Sequence, residues 1–272
     1  MTEYELQHGY GTANLWRSGG VAKIELARPE SLNSWGASLS ADLWSAFETV
    51  RDDDDIRAVV VTGAGRAFCS GADLKDEDEP FHTESGHPDL ERKLQKNYHP
   101  LLTGLRRLPK PVVAAVNGPA VGVGVSLALS ADLVYARRSA YFLLAFVNIG
   151  LVPDGGASAL LSSRIGVARA SELAMLGERL PAERALEWGL LNGVFDDDAF
   201  EAEVDAIAAK LAAGPTRSYA GIKAQLNAWN YTGHEAQLAL EASLQQEMSE
   251  TADFAEGVLA FIEKRPANYT GR

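Results

Sequence analysis

The sequence predicts an α/β fold, and three observations carry that reading. Twice in the first half a β-branched run ends in a glycine turn and gives way to a helical face: Ile56 to Thr62 before Gly63-Ala64-Gly65, and Val112 to Val116 before Asn117-Gly118-Pro119. Repetition of strand, turn and helix is the signature of layered α/β packing. Beyond Pro153-Asp154-Gly155-Gly156 the pattern is helical almost to the end, and 272 residues at 46% hydrophobic content supply enough apolar surface for a sizeable core.

Each element follows from its local pattern. Val21 to Leu26 (VAKIEL) alternates apolar and charged residues as a half-buried strand does, and Arg28-Pro29-Glu30 ends it. Leu39, Leu43, Ala46, Phe47 and Val50 then fall on one face of a helix. Ile56 to Thr62 is a continuous apolar run, as expected of a strand covered on both faces. The polar segment 75–87 is expected as an exposed, mobile loop. Leu94, Tyr98, Leu101, Leu102, Leu105 and Leu108 resume a helical face, with a kink expected at Pro100. Pro111 to Ala131 carries no charge and is long enough to span a bilayer, but Asn117-Gly118-Pro119, Gly122 and Gly124 divide it into a buried strand, a turn and a buried helix. Phe200, Val204, Ile207 and Leu211 form one later stripe, and Ile222, Leu226 and Trp229 another. The expected division is a core over 1–199 and a helical region over 200–272, for packing or oligomerisation.

Composition and spacing exclude several classes of function. With 25 basic against 37 acidic residues, net −12, the chain repels polyanions, so no nucleic-acid partner is expected. Cys69 is the single cysteine and the first ten residues lack a signal-peptide pattern, so the expected address is cytoplasmic, with no membrane partner. The five histidines show no metal-ligand spacing, and no metal is expected. Gly122-Val123-Gly124 offers two glycines of a dinucleotide fingerprint, but Leu127 stands where its third small residue belongs. The turns at Gly71-Ala72 and Gly122-Val123 are either tight turns of a compact domain or two N–H donors aimed at a developing negative charge.

Five segments occur in a telling order: Arg28-Pro29-Glu30 with Asn33; Ala67 to Leu74 (AFCSGADL); Lys110 to Gly122 (KPVVAAVNGPAVG); Ile149 to Gly156 (IGLVPDGG); and Phe261 to Arg265 (FIEKR). On these residues the whole chain resembles the enoyl-CoA hydratase/isomerase (crotonase) superfamily. The resemblance implies a crotonase-like spiral of ββα turns with a C-terminal helical trimerisation region, assembled as a homotrimer or a pair of trimers. It implies an acyl-CoA thioester substrate whose carbonyl oxygen is held by the amides of Ala72 and Val123, backed by Gly71 and Gly122, while an enolate forms. No cofactor is implied, since CoA is part of the substrate.

The departures from that pattern direct the chemistry. The two glutamates of typical hydratases align with Ser126 and Phe146, neither of which can do general acid–base work. Asp154 is the acid left in the neighbourhood, aligned with the segment from which isomerases of the superfamily take a single proton shuttle. The alternative for Asp154 is a helix N-cap or turn acid before Ala157. Phe146 is expected beside the substrate. Lys75 and Lys264 match positions where lysines meet the nucleotide end of CoA. Asp73 and Asp132 are expected to be structural, and Cys69 to pack. The favoured activity is a 3-enoyl-CoA to 2-enoyl-CoA shift; enoyl-CoA hydration and a non-catalytic CoA-thioester binder are the alternatives.

Overall fold

The computed structural model describes residues 3–75, 81–84 and 86–272. Strands β1 (Glu5–Gly9), β2 (Ala13–Ser18) and β3 (Val21–Leu26) form an antiparallel meander. Helix α1 (Ala37–Asp52) then buries Leu39, Leu43, Ala46, Phe47 and Val50, the face expected from spacing. Strand β4 (Ala58–Gly63) lies parallel to β3. Val59 and Val61 face the core with α1, whereas Ala58 and Val60 join a second apolar cluster on the opposite face. Burial on both faces is why the run does not alternate.

Helix α2 (Leu90–Lys93), a π-helical turn (Leu94–Tyr98) and helix α3 (His99–Arg107) follow. The kink expected at Pro100 takes the form of that wide turn, in which the His99 N–H bonds back to the Leu94 carbonyl. Proline lacks an N–H and crowds the turn before it, and a five-residue step relieves that crowding. Of the segment 75–87, residues 76–80 and 85 lie outside the described residues.

The uncharged stretch folds as β5 (Val112–Val116), a turn, β6 (Ala120–Val121) and α4 (Val123–Leu129), every residue of which is buried. The chain continues through β7 (Leu133–Arg137), β8 (Tyr141–Leu143), α5 (Ala157–Leu176), β9 (Leu180–Pro181), α6 (Ala182–Glu187) and β10 (Gly193–Phe195). The main sheet has the order β1-β2-β3-β4-β5-β7-β10, parallel from β3 onward, and a smaller sheet has the order β6-β8-β9. Isolated parallel bridges Trp35↔Ala72 and Cys69↔Ala120 extend the smaller sheet backwards in the chain. Each circuit thus lays one strand in the main sheet and one short segment beside it, which makes the fold a spiral.

Four helices complete the molecule: α7 (Phe200–Ala213), α8 (Thr216–Asn230), α9 (His234–Ser249) and α10 (Ala252–Glu263). Phe200, Val204, Ala208 and Ala212 of α7 cover the outer face of the main sheet against Val21, Val60 and Val113. In α8 the expected apolar stripe lies on the outer side of the chain. Ile222, Leu226 and Trp229 point outward, Trp229 being 85% exposed, while Lys223 is buried. The reason is polar: Lys223 Nζ donates to the Leu105 and Lys110 carbonyls and pairs with Asp132 at 2.8 Å. Asp132 also accepts from the Val112 N–H, which bears out its structural reading.

Candidate active site

Two short segments of the spiral run side by side and end in glycine turns. The Cys69 carbonyl accepts from the Val121 N–H, and the Pro119 carbonyl accepts from the Cys69 N–H. Gly71 has φ +97° and Gly122 φ +54°, backbone conformations that a Cβ disfavours. A Cβ on Gly71 would also stand 3.1 Å from the Val121 carbonyl oxygen, and one on Gly122 would stand 3.8 Å from Gly71 Cα. The two turns therefore touch, as the pairing of Ala72 with Val123 requires.

The bridge to Trp35 uses the Gly71 carbonyl and the Asp73 N–H, and leaves the intervening Ala72 N–H out of it. Val123 is the first residue of α4, where an N–H has no intrahelical partner. Among the described residues neither amide makes a hydrogen bond. Braces hold the first turn. Tyr98 Oη donates to the Trp35 carbonyl at 3.0 Å, and Arg28 pairs with Asp73 at 2.9 Å. Burial pushes the Asp73 carboxyl up, but the Lys75 N–H, Arg28 and Ser34 together hold it below the usual range. Asp73 is thus a structural acid, as expected. Cys69 is fully buried and its thiol is pushed up to about 12, which suits packing and not thiolate chemistry.

One helical turn along α4 from Val123, the Ser126 hydroxyl donates to the Asp154 carbonyl. Three residues of helix span about 4.5 Å, so the loop bearing Asp154 is anchored close to the Val123 amide. Asp154 is 7% exposed, and its Oδ1 has no hydrogen-bond partner among the described residues. Burial raises its carboxyl well above the usual range, the negative charge of Glu241 adds to this, and Lys93 opposes it. The side chain does not cap α5: Gly156 is the N-cap, and the Gly156 and Ser158 N–H groups donate to Glu241.

Phe146 packs its ring against Gly122, and its carbonyl accepts from the Ile149 and Leu151 N–H groups, which fixes the stretch that leads to Asp154. Helix α10 backs the same stretch, Gly257 lying directly on Ile149. Lys75 and Lys264 are exposed, Lys264 as the left-handed cap of α10. A cavity of about 520 Å³ lies beside Pro153, Ser158 and His234, and it reaches neither Asp154 nor the two amides.

The sequence reading did not single out Glu241 and Gln245, which are 3% and 1% exposed beside Asp154. Their signal was available: with Leu238 and Ala242 they occupy the core-facing positions of one helical stripe, where polar residues are rare.

The profile of the enoyl-CoA hydratase/isomerase family matches residues 17–272. The chain belongs to that family. A Rhodobacter capsulatus relative described as a probable enoyl-CoA hydratase is 44% identical over 263 residues, 97% of this chain and 99% of that one. The 1,2-epoxyphenylacetyl-CoA isomerase of Escherichia coli is 42% identical over 253 residues, 93% of this chain and 96% of that one. The crystal structure of an enoyl-CoA hydratase from Mycobacterium avium subsp. paratuberculosis superposes with TM-score 0.86 at 39% identity, covering 96% of this chain and all of that one. This enoyl-CoA hydratase/isomerase family member is therefore an enzyme of acyl-CoA thioester chemistry on the crotonase fold. Among its described residues no group of three or more His, Cys, Asp or Glu side chains is arranged to hold a metal, and no helix is long and apolar enough to cross a membrane.

Proposed function

We propose that this enzyme is an enoyl-CoA isomerase that moves a double bond from C3 to C2 of the acyl chain, with Asp154 as its single proton carrier. The observation that carries the reading is one buried carboxyl on a loop tied through Ser126 to the helix that begins at Val123, together with the unused amides of Ala72 and Val123; the resemblance places Ser126 and Phe146 where a hydratase has glutamates. The Asp154 carboxylate takes a proton from C2, the thioester oxygen becomes an enolate held by the Ala72 and Val123 N–H groups, and the carboxylic acid returns that proton at C4. Each amide contributes roughly 3 kcal/mol to the transition state. Protons and electrons balance within the substrate, so the reaction consumes no cofactor.

A buried carboxyl with a raised pKa suits both halves of the shuttle, because its proton affinity moves toward that of the activated carbon acid. Hydration requires a second group to activate water. Glu241 is the other buried carboxylate nearby, and its oxygens are taken up by the Gly156 N–H and by the N–H and hydroxyl of Ser158. The name of the Escherichia coli relative, an isomerase of a CoA thioester, supports the same side. Phe146 lines the acyl site in this reading, and Lys75 and Lys264 meet the phosphates of CoA.

The assembly belongs to the proposal too. The outward stripe of Ile222, Leu226 and Trp229 gives α8 an apolar face that a homotrimer, alone or paired, would cover. Sedimentation equilibrium is expected to find a trimer or hexamer that Trp229→Lys dissociates; a monomeric wild type overturns this part.

The activity is tested with wild type and Asp154→Asn, each given a 3-enoyl-CoA and crotonyl-CoA. Isomerisation by the wild type that falls at least about 10²-fold in the variant, with negligible hydration, is expected. Hydration that survives the substitution overturns the reading, and retained CoA-thioester binding without turnover in either protein would mark a binder.

A further inference from the structure

Glu241 and Gln245 stand one turn apart on α9 and grip the loop on both sides of Asp154. Glu241 Oε2 accepts from the Gly156 N–H at 2.6 Å, and Oε1 accepts from the Ser158 N–H at 3.1 Å and the Ser158 hydroxyl at 2.5 Å. Gln245 Nε2 donates to the Val152 carbonyl and lies 3.4 Å from Asp154 Oδ2. Both side chains are almost fully buried, at positions of the helix that elsewhere hold Leu238 and Ala242. Placing two polar groups there costs stability unless each is satisfied, and each is satisfied by the acid-bearing loop.

We infer that Glu241 and Gln245 are a paired positioning device for Asp154, one contributing a carboxyl that accepts from the loop on both oxygens and the other an N–H donor. The inference rests on the reading of Asp154 as the proton carrier. The two contributions oppose each other chemically. A neighbouring anion disfavours the ionised form of Asp154, whereas a donor beside Oδ2 favours it. The other groups around the loop are Lys93 at the end of α2, which attracts the carboxylate; Ser126 of α4, which bonds the main chain; and His234 of α9, which packs on Gly156 and whose imidazole burial and the charges of Arg106 and Arg107 push below the usual range; burial likewise raises the Glu241 carboxyl, against the pull of its Ser158 and Gly156 donors.

The test is the pH profile of kcat/KM for isomerisation in wild type, Glu241→Gln, Gln245→Met and Asp154→Asn, with thermal melts of each. Activity rises with pH as Asp154 ionises. Glu241→Gln removes the anion and is expected to move that rise to lower pH; Gln245→Met removes the donor and is expected to move it to higher pH. In both, kcat falls about tenfold while KM stays within about twofold, because the loop and not substrate binding is disturbed. Shifts in the same direction, or unmoved profiles with lowered melting temperatures alone, overturn the inference and leave Glu241 a cap of α5. If Glu241→Gln does not fold, Gln245→Met decides alone, an unmoved rise counting against. Asp154→Asn separates the two levels: full activity there refutes the proton-carrier reading, whereas its inactivity beside unmoved profiles refutes only the positioning device.

Discussion

The Ser126 hydroxyl donates to the main-chain carbonyl of Asp154 at 2.7 Å, so a buried residue of α4 braces the loop that carries the acid. Both groups are buried, and removing the hydroxyl leaves the carbonyl with the Ala157 N–H as its remaining donor. Ser126→Ala is expected to cost about 1–2 kcal/mol, read by urea denaturation, and to lower kcat several-fold with KM unchanged.

The amide of Val123 can be deleted without removing the residue. Proline is tolerated at the first position of a helix, where its missing N–H breaks no helical bond. Val123→Pro is therefore expected to lower kcat by about 10²–10³, the effect of losing one oxyanion donor, while circular dichroism stays that of the wild type. A rate within threefold of wild type would remove Val123 from the site.

Asp154 is expected to limit stability above acid pH. Its carboxyl ionises at about 3.8 in the unfolded chain but at higher pH in the fold. Between those values the native state binds the extra proton, so stability falls as pH rises. Asp154→Asn should thus be more stable than wild type at pH 7, by about 1 kcal/mol, and the gap should close below about pH 4. Melting curves at both pH values check the sign; an equal gap at both refutes it.

Lys223 is the buried cation that joins α8 to the spiral. Lys223→Met would leave Asp132 without its ion-pair partner and the Leu105 carbonyl without its donor. A loss of about 3–5 kcal/mol is expected in chemical denaturation, with specific activity per folded molecule preserved.

The sequence was most legible where periodicity and burial agree. The runs Val21 to Leu26 and Val112 to Val116 became strands over the same residues, and the α1 stripe became a buried face. The two glycine turns were visible as punctuation, but their contact depends on the pairing of Cys69 with Ala120, about fifty positions away, which no local pattern encodes. The α8 stripe was legible as a face, but apolar spacing does not say what covers it. Pro100 marked a disturbance but not its form, since a wide turn and a bend relieve the same crowding. Glu241 and Gln245 were passed over because polar side chains are usually at the surface, although their helical spacing with Leu238 and Ala242 marks an inward stripe.

Gly156 and Glu241 lie 85 residues apart, Val152 and Gln245 lie 93 apart, and α10 closes over Ile149 from still further along. Synthesis delivers the spiral first. The paired glycine turns and the Ser126 anchor of the acid loop precede α8 in the chain, whereas the grip of Glu241, Gln245 and α10 on that loop follows it. The loop that carries Asp154 is thus held in place only when segments from both sides of α8 have come together.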